Sequence, residues 1–266
     1  MKRSGYAPVN GLNMYYEIEG EGPPLVYIPP HLGVAGIYSV PSLTLRHSVV
    51  TIDLQGHGRT ADVDGRPMSL QQNAKDVVGL LHHLGISRAS FLGQSYGGAT
   101  AILIALSDPD LVDCVATYGA TFGPPSQAHN SKMLRFDEPP TPESRCFEFQ
   151  RASYQQVAPH PEYWPTFWQK GGDIRWDGFS HDELRSIRAR VLIALGDQDF
   201  VRIEHAVEAF RLIPNAELSI IPDAGHFALS SEQERVLPVV EHFLTKPTTR
   251  LPIATAGMGY RPGQTR

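Results

Sequence analysis

A serine hydroxyl becomes a useful nucleophile only when a base takes its proton and an acid orients that base. Three residues of this chain are spaced for such a relay: Ser95, Asp199 and His226. Ser95 lies in Gly93-Gln94-Ser95-Tyr96-Gly97, where a short extended run, 89–92, passes at once into an apolar helical stretch, 98–106. A serine on so sharp a strand-to-helix turn, a nucleophile elbow, needs neighbours without Cβ so that the backbone can pass closely on either side. Its hydroxyl is then held outward. The amide of Tyr96 opens a helix whose dipole favours negative charge.

The other two residues follow strands of their own. Asp199 comes just after Val191-Leu192-Ile193-Ala194-Leu195 and Gly196-Asp197-Gln198, and His226 just after the strand 218–221 and Pro222-Asp223-Ala224-Gly225. In an open parallel sheet these loops lie along the carboxyl edge, where ligands bind. Asp197 is the competing acid, Asp223 reads as a turn former, and His57 as a residue shaping its own turn. The remaining histidines are scattered.

The elements that must position these residues can be read in order. Asn10-Gly11 is a strong type I′ turn signal, so the opening residues form an antiparallel hairpin at one edge of the sheet. Leu25-Val26-Tyr27-Ile28 is a continuous apolar run, typical of a strand covered on both faces, and Pro29-Pro30 ends it. Residues 37–46 form a poor helix interrupted by Pro41, and 48–53 is the next strand. Ser69-Leu70-Gln71-Gln72 is a capping box for a helix with Leu70, Ala74, Val77, Leu81 and Leu84 at helical spacing and a stop at Gly85. After the elbow comes the strand 112–118. This alternation predicts a parallel sheet with right-handed crossovers and helices on both faces.

The pattern breaks over 122–184, where prolines are frequent and all three tryptophans occur. A structureless loop of that length is implausible in a compact domain, so the segment reads as an inserted cap of short helices. Ile203, Ala206, Val207, Phe210 and Ile213 mark a later helix. Ser231-Glu232-Gln233-Glu234 is a second capping box, opening a helix that Pro238 should kink or restart. The expected division is a core of 1–121 and 185–245, a cap of 122–184 and a tail of 246–266 whose own composition would be disordered unless it docks.

Composition narrows the function classes. A chain of 266 residues with 41% hydrophobic content can bury one large core, and a net charge of -5 supplies no basic footprint for nucleic acid. No apolar segment approaches the length of a membrane span and no export signal opens the chain, so a cytoplasmic protein without nucleic-acid or membrane partners is expected. The two cysteines, Cys114 and Cys146, make neither a disulfide framework nor a metal cluster and read as packing residues. No metal-ligand pattern occurs and no cofactor is expected.

Taken together, Gly93-Gln94-Ser95-Tyr96-Gly97-Gly98, Asp53-Leu54-Gln55-Gly56-His57-Gly58-Arg59-Thr60, Gly196-Asp197-Gln198-Asp199 and Ala224-Gly225-His226-Phe227 resemble the α/β-hydrolase superfamily over residues 10–245. The chain order Ser, Asp, His is also that family's. The resemblance implies the α/β-hydrolase fold, with a mostly parallel sheet, helices on both faces and a helical cap. It also implies acyl chemistry through Ser95, His226 and Asp199. Many relatives end the third strand in His-Gly before an oxyanion donor, whereas here Pro29-Pro30 carries no N–H. The donor amide is then that of His31, or of Leu32 if the register slips by one, paired with the amide of Tyr96. An apolar strand followed by a Leu-Gly pair is similar to lactonase-like members.

The expected activity is therefore cofactor-free hydrolysis of a carboxylic ester or lactone through an acyl-enzyme. The aromatic cap points to an apolar or aromatic small-molecule substrate, with Leu32, Trp164, Trp168 and Phe227 as candidate contacts. Carbon-carbon bond hydrolysis or perhydrolase activity with the same triad, or a ligand-binding receptor on the same fold, are the alternatives. A homodimer is left open.

Overall fold

Apolar runs bounded by turn residues become strands buried on both sides, and amphipathic runs become the helices that cover them. The computed structural model describes residues 2–130 and 140–245, apart from the side chain of Cys146. The tail 246–266 lies outside the described residues. In chain order the strands are β1 (Arg3–Val9), β2 (Leu12–Glu19), β3 (Pro24–Ile28), β4 (Ser48–Ile52), β5 (Ala89–Gln94), β6 (Val112–Tyr118), β7 (Arg190–Gly196) and β8 (Ala216–Ile221). The helices are α1 (Leu70–His83), α2 (Tyr96–Ser107), α3 (Pro125–Ala128), α4 (Glu148–Val157), α5 (Trp164–Gly172), α6 (His181–Ser186), α7 (Ile203–Leu212), α8 (Ala228–Ser231) and α9 (Gln233–Thr245).

One eight-stranded sheet runs β1-β2-β4-β3-β5-β6-β7-β8. The strands from β3 to β8 pair in parallel, and β2 joins β4 antiparallel. The β1–β2 hairpin stands at the edge, its turn carried by Asn10 (φ 47°) and Gly11 (φ 83°), both positive as a type I′ turn requires.

Because side chains alternate along a strand, the sheet divides its apolar residues between two cores. Val26 and Ile28 join the core that α1, α2 and α7 cover, while Leu25 and Tyr27 join the core under α9. This two-sided burial is what an apolar run without alternation demands, and it leaves only the strand ends free for chemistry.

Several local expectations need correction. The poor helix expected over 37–46 is a 3-10 turn, Pro41–Leu45, with Pro41 in its first turn, where a missing N–H costs little. Ser69 caps α1 by accepting from the Gln72 amide at 3.1 Å, but the reciprocal half of the box is absent because the Gln72 side chain donates to Asp76 instead. The box expected at 231–234 does not form. Ser231 ends α8 and donates to the Phe227 carbonyl, and α9 runs unbroken from Gln233 with Pro238 inside it. Burial of Val236, Leu237, Val240 and Phe243 along one face of α9 offsets the hydrogen bond that Pro238 removes. The complete capping box is at Ser180 and Glu183, opening α6.

Between β6 and β7 the chain forms α3 to α6 with two 3-10 turns, Arg145–Phe147 and Pro161–Tyr163; residues 131–139 of this stretch lie outside the described set. Trp176 packs edge-on against Phe179 and fastens the end of the stretch to the main core. Among the described residues no helix is long and apolar enough to cross a membrane.

Candidate active site

Ser95 stands at the end of β5 with φ 54° and ψ -119°, a conformation that costs a side-chain-bearing residue on the order of 1–3 kcal/mol. Its amide is fixed by the Tyr118 carbonyl at 2.8 Å, and its carbonyl accepts from Gly98 and Ala99. A Cβ on Gly97 would lie 2.6 Å from the Pro29 carbonyl oxygen, and one on Gly93 would collide with the backbone of Gly97 and Gly98. Both motif glycines are thus required by backbone contact. Ser95 makes no capping bond to its own helix, so its hydroxyl is not spent on structure.

The next strand ends complete the cluster. Gly119 follows β6 with φ 59°, and a Cβ there would lie 2.8 Å from Asp199 Oδ2 and 2.9 Å from His226 Nδ1. Since Gln94 pairs with Tyr118 across β5 and β6, Ser95 and the Asp199–His226 pair border the same glycine. His226 Nδ1 lies 2.8 Å from Asp199 Oδ1, which also accepts from the Val201 amide at 2.8 Å. Asp199 is 4% exposed and its Oδ2 has no partner. An ionised carboxylate only accepts, so Nδ1 carries the proton and Nε2 presents a lone pair. In this conformation Nε2 and Ser95 Oγ are not hydrogen-bonded; such bonds are often long before substrate arrives. The Phe200 ring covers the imidazole at 4.0 Å between centroids.

Asp197, the competing acid, is exposed and accepts from the Asp223 amide at 2.7 Å, bracing the turn in which Asp223 takes φ 54°. Sequence reasoning missed the residue that holds the histidine loop. Gln94, fully buried, donates to the His226 carbonyl at 3.1 Å and accepts from Ser230, while Tyr118 donates to the Gly225 carbonyl at 2.8 Å. The available signal was a long polar side chain at the last position of a strand that is buried throughout.

On the other side of Ser95, the amide of Gly33 donates to the Pro30 carbonyl at 2.9 Å, closing a turn around His31 and Leu32. Neither central amide is used by that bond. Leu32 has φ 65°, at the position where such a turn favours glycine. Its side chain is nonetheless buried with Met68, Tyr154, Trp164 and Phe167, so the contact with the β6–β7 stretch accompanies the strain. Asp53, fully buried at the end of β4, accepts from the amides of Ala35 at 2.6 Å and Arg59 at 2.9 Å, which joins this loop to the 54–60 turn. Burial pushes its carboxyl up to about 7 against the pull of those donors and of the Arg59 guanidinium.

The His31 ring lies 5.4 Å from Tyr96 and 5.3 Å from His57. Burial, and after it the neighbouring His57, lowers His31 to about 3, and burial lowers His57 to about 4. His57 Nδ1 donates to the Gln55 carbonyl at 2.9 Å, and His57 Nε2 and His31 Nδ1 have no partners. A histidine held neutral in the fold but free to protonate when unfolded stabilises the protein above its ordinary value and loses that contribution as pH falls toward the folded value. The two histidines therefore withdraw stability between about pH 6.5 and 4, His57 by at most about 3 kcal/mol, while Asp53, raised to about 7, adds stability over the same fall, so the His57 share is read as the difference between native protein and variant. Urea unfolding at both ends of that range should show a smaller loss in His57→Gln; an equal loss would mean that His57 is not held neutral.

Of the candidate substrate contacts, Phe227 is 43% exposed and meets His226 edge-on at 5.2 Å. Leu32 and Trp164 belong to one apolar cluster, where Trp164 is 1% exposed and donates to the Pro142 carbonyl; Trp168 lies at its margin against Phe147. Tyr96 accepts from Asn73 through its hydroxyl, leaving its backbone amide as the first of α2. Among the described residues no group of histidine, cysteine or acidic side chains is arranged to hold a metal ion.

Relatives agree with this architecture. The sn-1-specific diacylglycerol lipase of Mus musculus is 27% identical over 222 residues, covering 74% of this chain and 71% of that protein. A 2-hydroxy-6-oxononadienedioate/2-hydroxy-6-oxononatrienedioate hydrolase of Burkholderia vietnamiensis is 25% identical over 223 residues, 75% of this chain and 77% of its own. Among solved structures, a 2-hydroxy-6-oxo-6-phenylhexa-2,4-dienoate hydrolase from a Rhodococcus species superposes with a TM-score of 0.74 at 19% identity, over 92% of this chain and 99% of that one. That last likeness is one of fold. The profile of the Alpha/beta hydrolase family matches residues 25–239, and the chain belongs to that family.

Proposed function

We propose that this chain is a serine hydrolase that cleaves a carboxylic ester or lactone of an apolar or aromatic small molecule, without a cofactor. The observation that carries the reading is the buried Asp199–His226 pair, 2.8 Å apart, at the strand ends beside the strained Ser95. His226 Nε2 takes the Ser95 hydroxyl proton as Oγ bonds to the carbonyl carbon. The carbonyl oxygen becomes an oxyanion held by the amides of Tyr96 and His31. When the intermediate collapses, the carbon–oxygen bond to the leaving group breaks and His226 returns the proton to the departing alkoxide. Water, deprotonated by the same imidazole, then releases the acid from Ser95. Asp199 holds the tautomer throughout, and the β6–β7 stretch acts as a cap over the acyl group.

A second reading is favoured by the relatives whose names are dienoate hydrolases. The same three residues would there assist hydrolysis of a carbon-carbon bond next to a ketone. Both readings are tested by incubating the protein with a fluorophosphonate, locating the label by mass spectrometry, and comparing turnover of 4-nitrophenyl acetate with that of a 2-hydroxy-6-oxo-dienoate. Label on Ser95 and a burst of 4-nitrophenol are expected. Faster turnover of the dienoate would transfer the assignment to carbon-carbon cleavage, and no label on Ser95 would end the serine-hydrolase reading.

A further inference from the structure

Two glycines close α5, Gly171 and Gly172, neither with a positive φ, and their surroundings differ. A Cβ on Gly172 would meet nothing within 4 Å, whereas one on Gly171 would collide with Nε2 and Cε1 of the His31 imidazole. The backbone of α5 thus rests directly on that ring. One turn earlier on the same helix Phe167 lies 5.8 Å from it, and His57 and Tyr96 stand 5.3 Å and 5.4 Å away on other sides, so the ring has little room to retreat. His31 Nδ1 has no partner, and at that atom packing rather than a hydrogen bond holds the ring. The next residue is gripped by the same helices: Leu32, at φ 65°, packs with Tyr154 of α4 and with Trp164 and Phe167 of α5. A strained backbone of this kind persists only where its surroundings over-determine it.

We propose that Gly171 is a positioning residue for the oxyanion hole: its missing side chain lets α5 seat on the His31 imidazole, and that seat fixes the turn carrying the His31 amide. This rests on the serine-hydrolase reading. The two ends of the loop are held elsewhere, by the contact of Pro29 with the elbow at Gly97 and by the bond of the Ala35 amide to Asp53. Its tip is held by α5. An amide that must meet an oxyanion at hydrogen-bond distance tolerates little drift, and a displacement of about 1 Å costs on the order of 10²-fold in rate.

The test measures kcat/KM for 4-nitrophenyl acetate together with Ki for pentyl trifluoromethyl ketone. Ser95 Oγ adds to the ketone carbon and its proton passes to His226, which leaves an oxyanion where ester cleavage would form one. Gly171→Ala should lower kcat/KM about 10²-fold and raise Ki in step, because both read the same oxyanion. Gly172→Ala should change neither by more than about twofold, and alanine is the better helix former at both positions. His31→Ala keeps the amide but removes the seat, so a loss of about tenfold in both quantities is expected, and adding Gly171→Ala to it should cost nothing more. Native values in a folded Gly171→Ala protein overturn the proposal, as do an equal loss in Gly172→Ala or a fall in kcat/KM with Ki unchanged, which a misfolded fraction would give. A double variant that falls by the product of the two single losses also overturns it. Native values in His31→Ala do so even if every Gly171 variant misfolds. Failure of the fluorophosphonate to label native Ser95 would instead remove the parent reading, and this proposal with it.

Discussion

Ser95→Ala is expected to lower kcat for 4-nitrophenyl acetate by about 10⁶-fold and to abolish fluorophosphonate labelling, the scale found when the nucleophile of a serine triad is removed. The fold should survive, because the hydroxyl caps nothing and the elbow is held by backbone bonds to Tyr118, Gly98 and Ala99. His226→Ala should fall to the same floor, and the double variant should fall no further, since nucleophile and base act as one unit. A Ser95→Ala protein that keeps more than about one per cent of the native rate would place the chemistry elsewhere. Steady-state rates with circular dichroism as the control for folding decide it.

The second large effect separates the two acids. Asp199→Asn is expected to cost about 10⁴-fold in kcat, by the logic of the serine-protease triad. Asp199 Oδ1 already serves both the Val201 amide and His226 Nδ1. Asparagine either keeps its oxygen there without the charge that stabilises the imidazolium, or turns its NH₂ toward Nδ1 and selects the wrong tautomer. Asp197→Asn should change the rate by less than about tenfold, because the amide oxygen can still accept from the Asp223 backbone and the side chain does not meet His226. The reverse ranking would exchange the roles of the two residues.

Much of the fold was legible because its signals are local. Asn10-Gly11 specifies a turn with two positive φ values, Gly85 stops α1 with φ 70° and a return bond from the Ile86 amide to the Leu81 carbonyl, and the apolar runs mark strands covered on both faces. Pro238 does not restart α9, because helix propensity there is a local quantity, while the burial that holds the helix through it is supplied by the sheet.

The sequence by itself determined the order of elements along the chain: which residues end strands, which glycines must flank Ser95, and that Ser95, Asp199 and His226 occur in loops on one rim. It did so because these features depend on residue type and period within a few positions. Only the tertiary structure decided that Asp199 rather than Asp197 meets His226, that Gln94 clamps the histidine loop, and that Leu32 sits at a strained turn position under an apolar cluster. Each of these joins residues tens of positions apart in the chain. Their contact is fixed by how strands pair and helices pack, which no local pattern encodes.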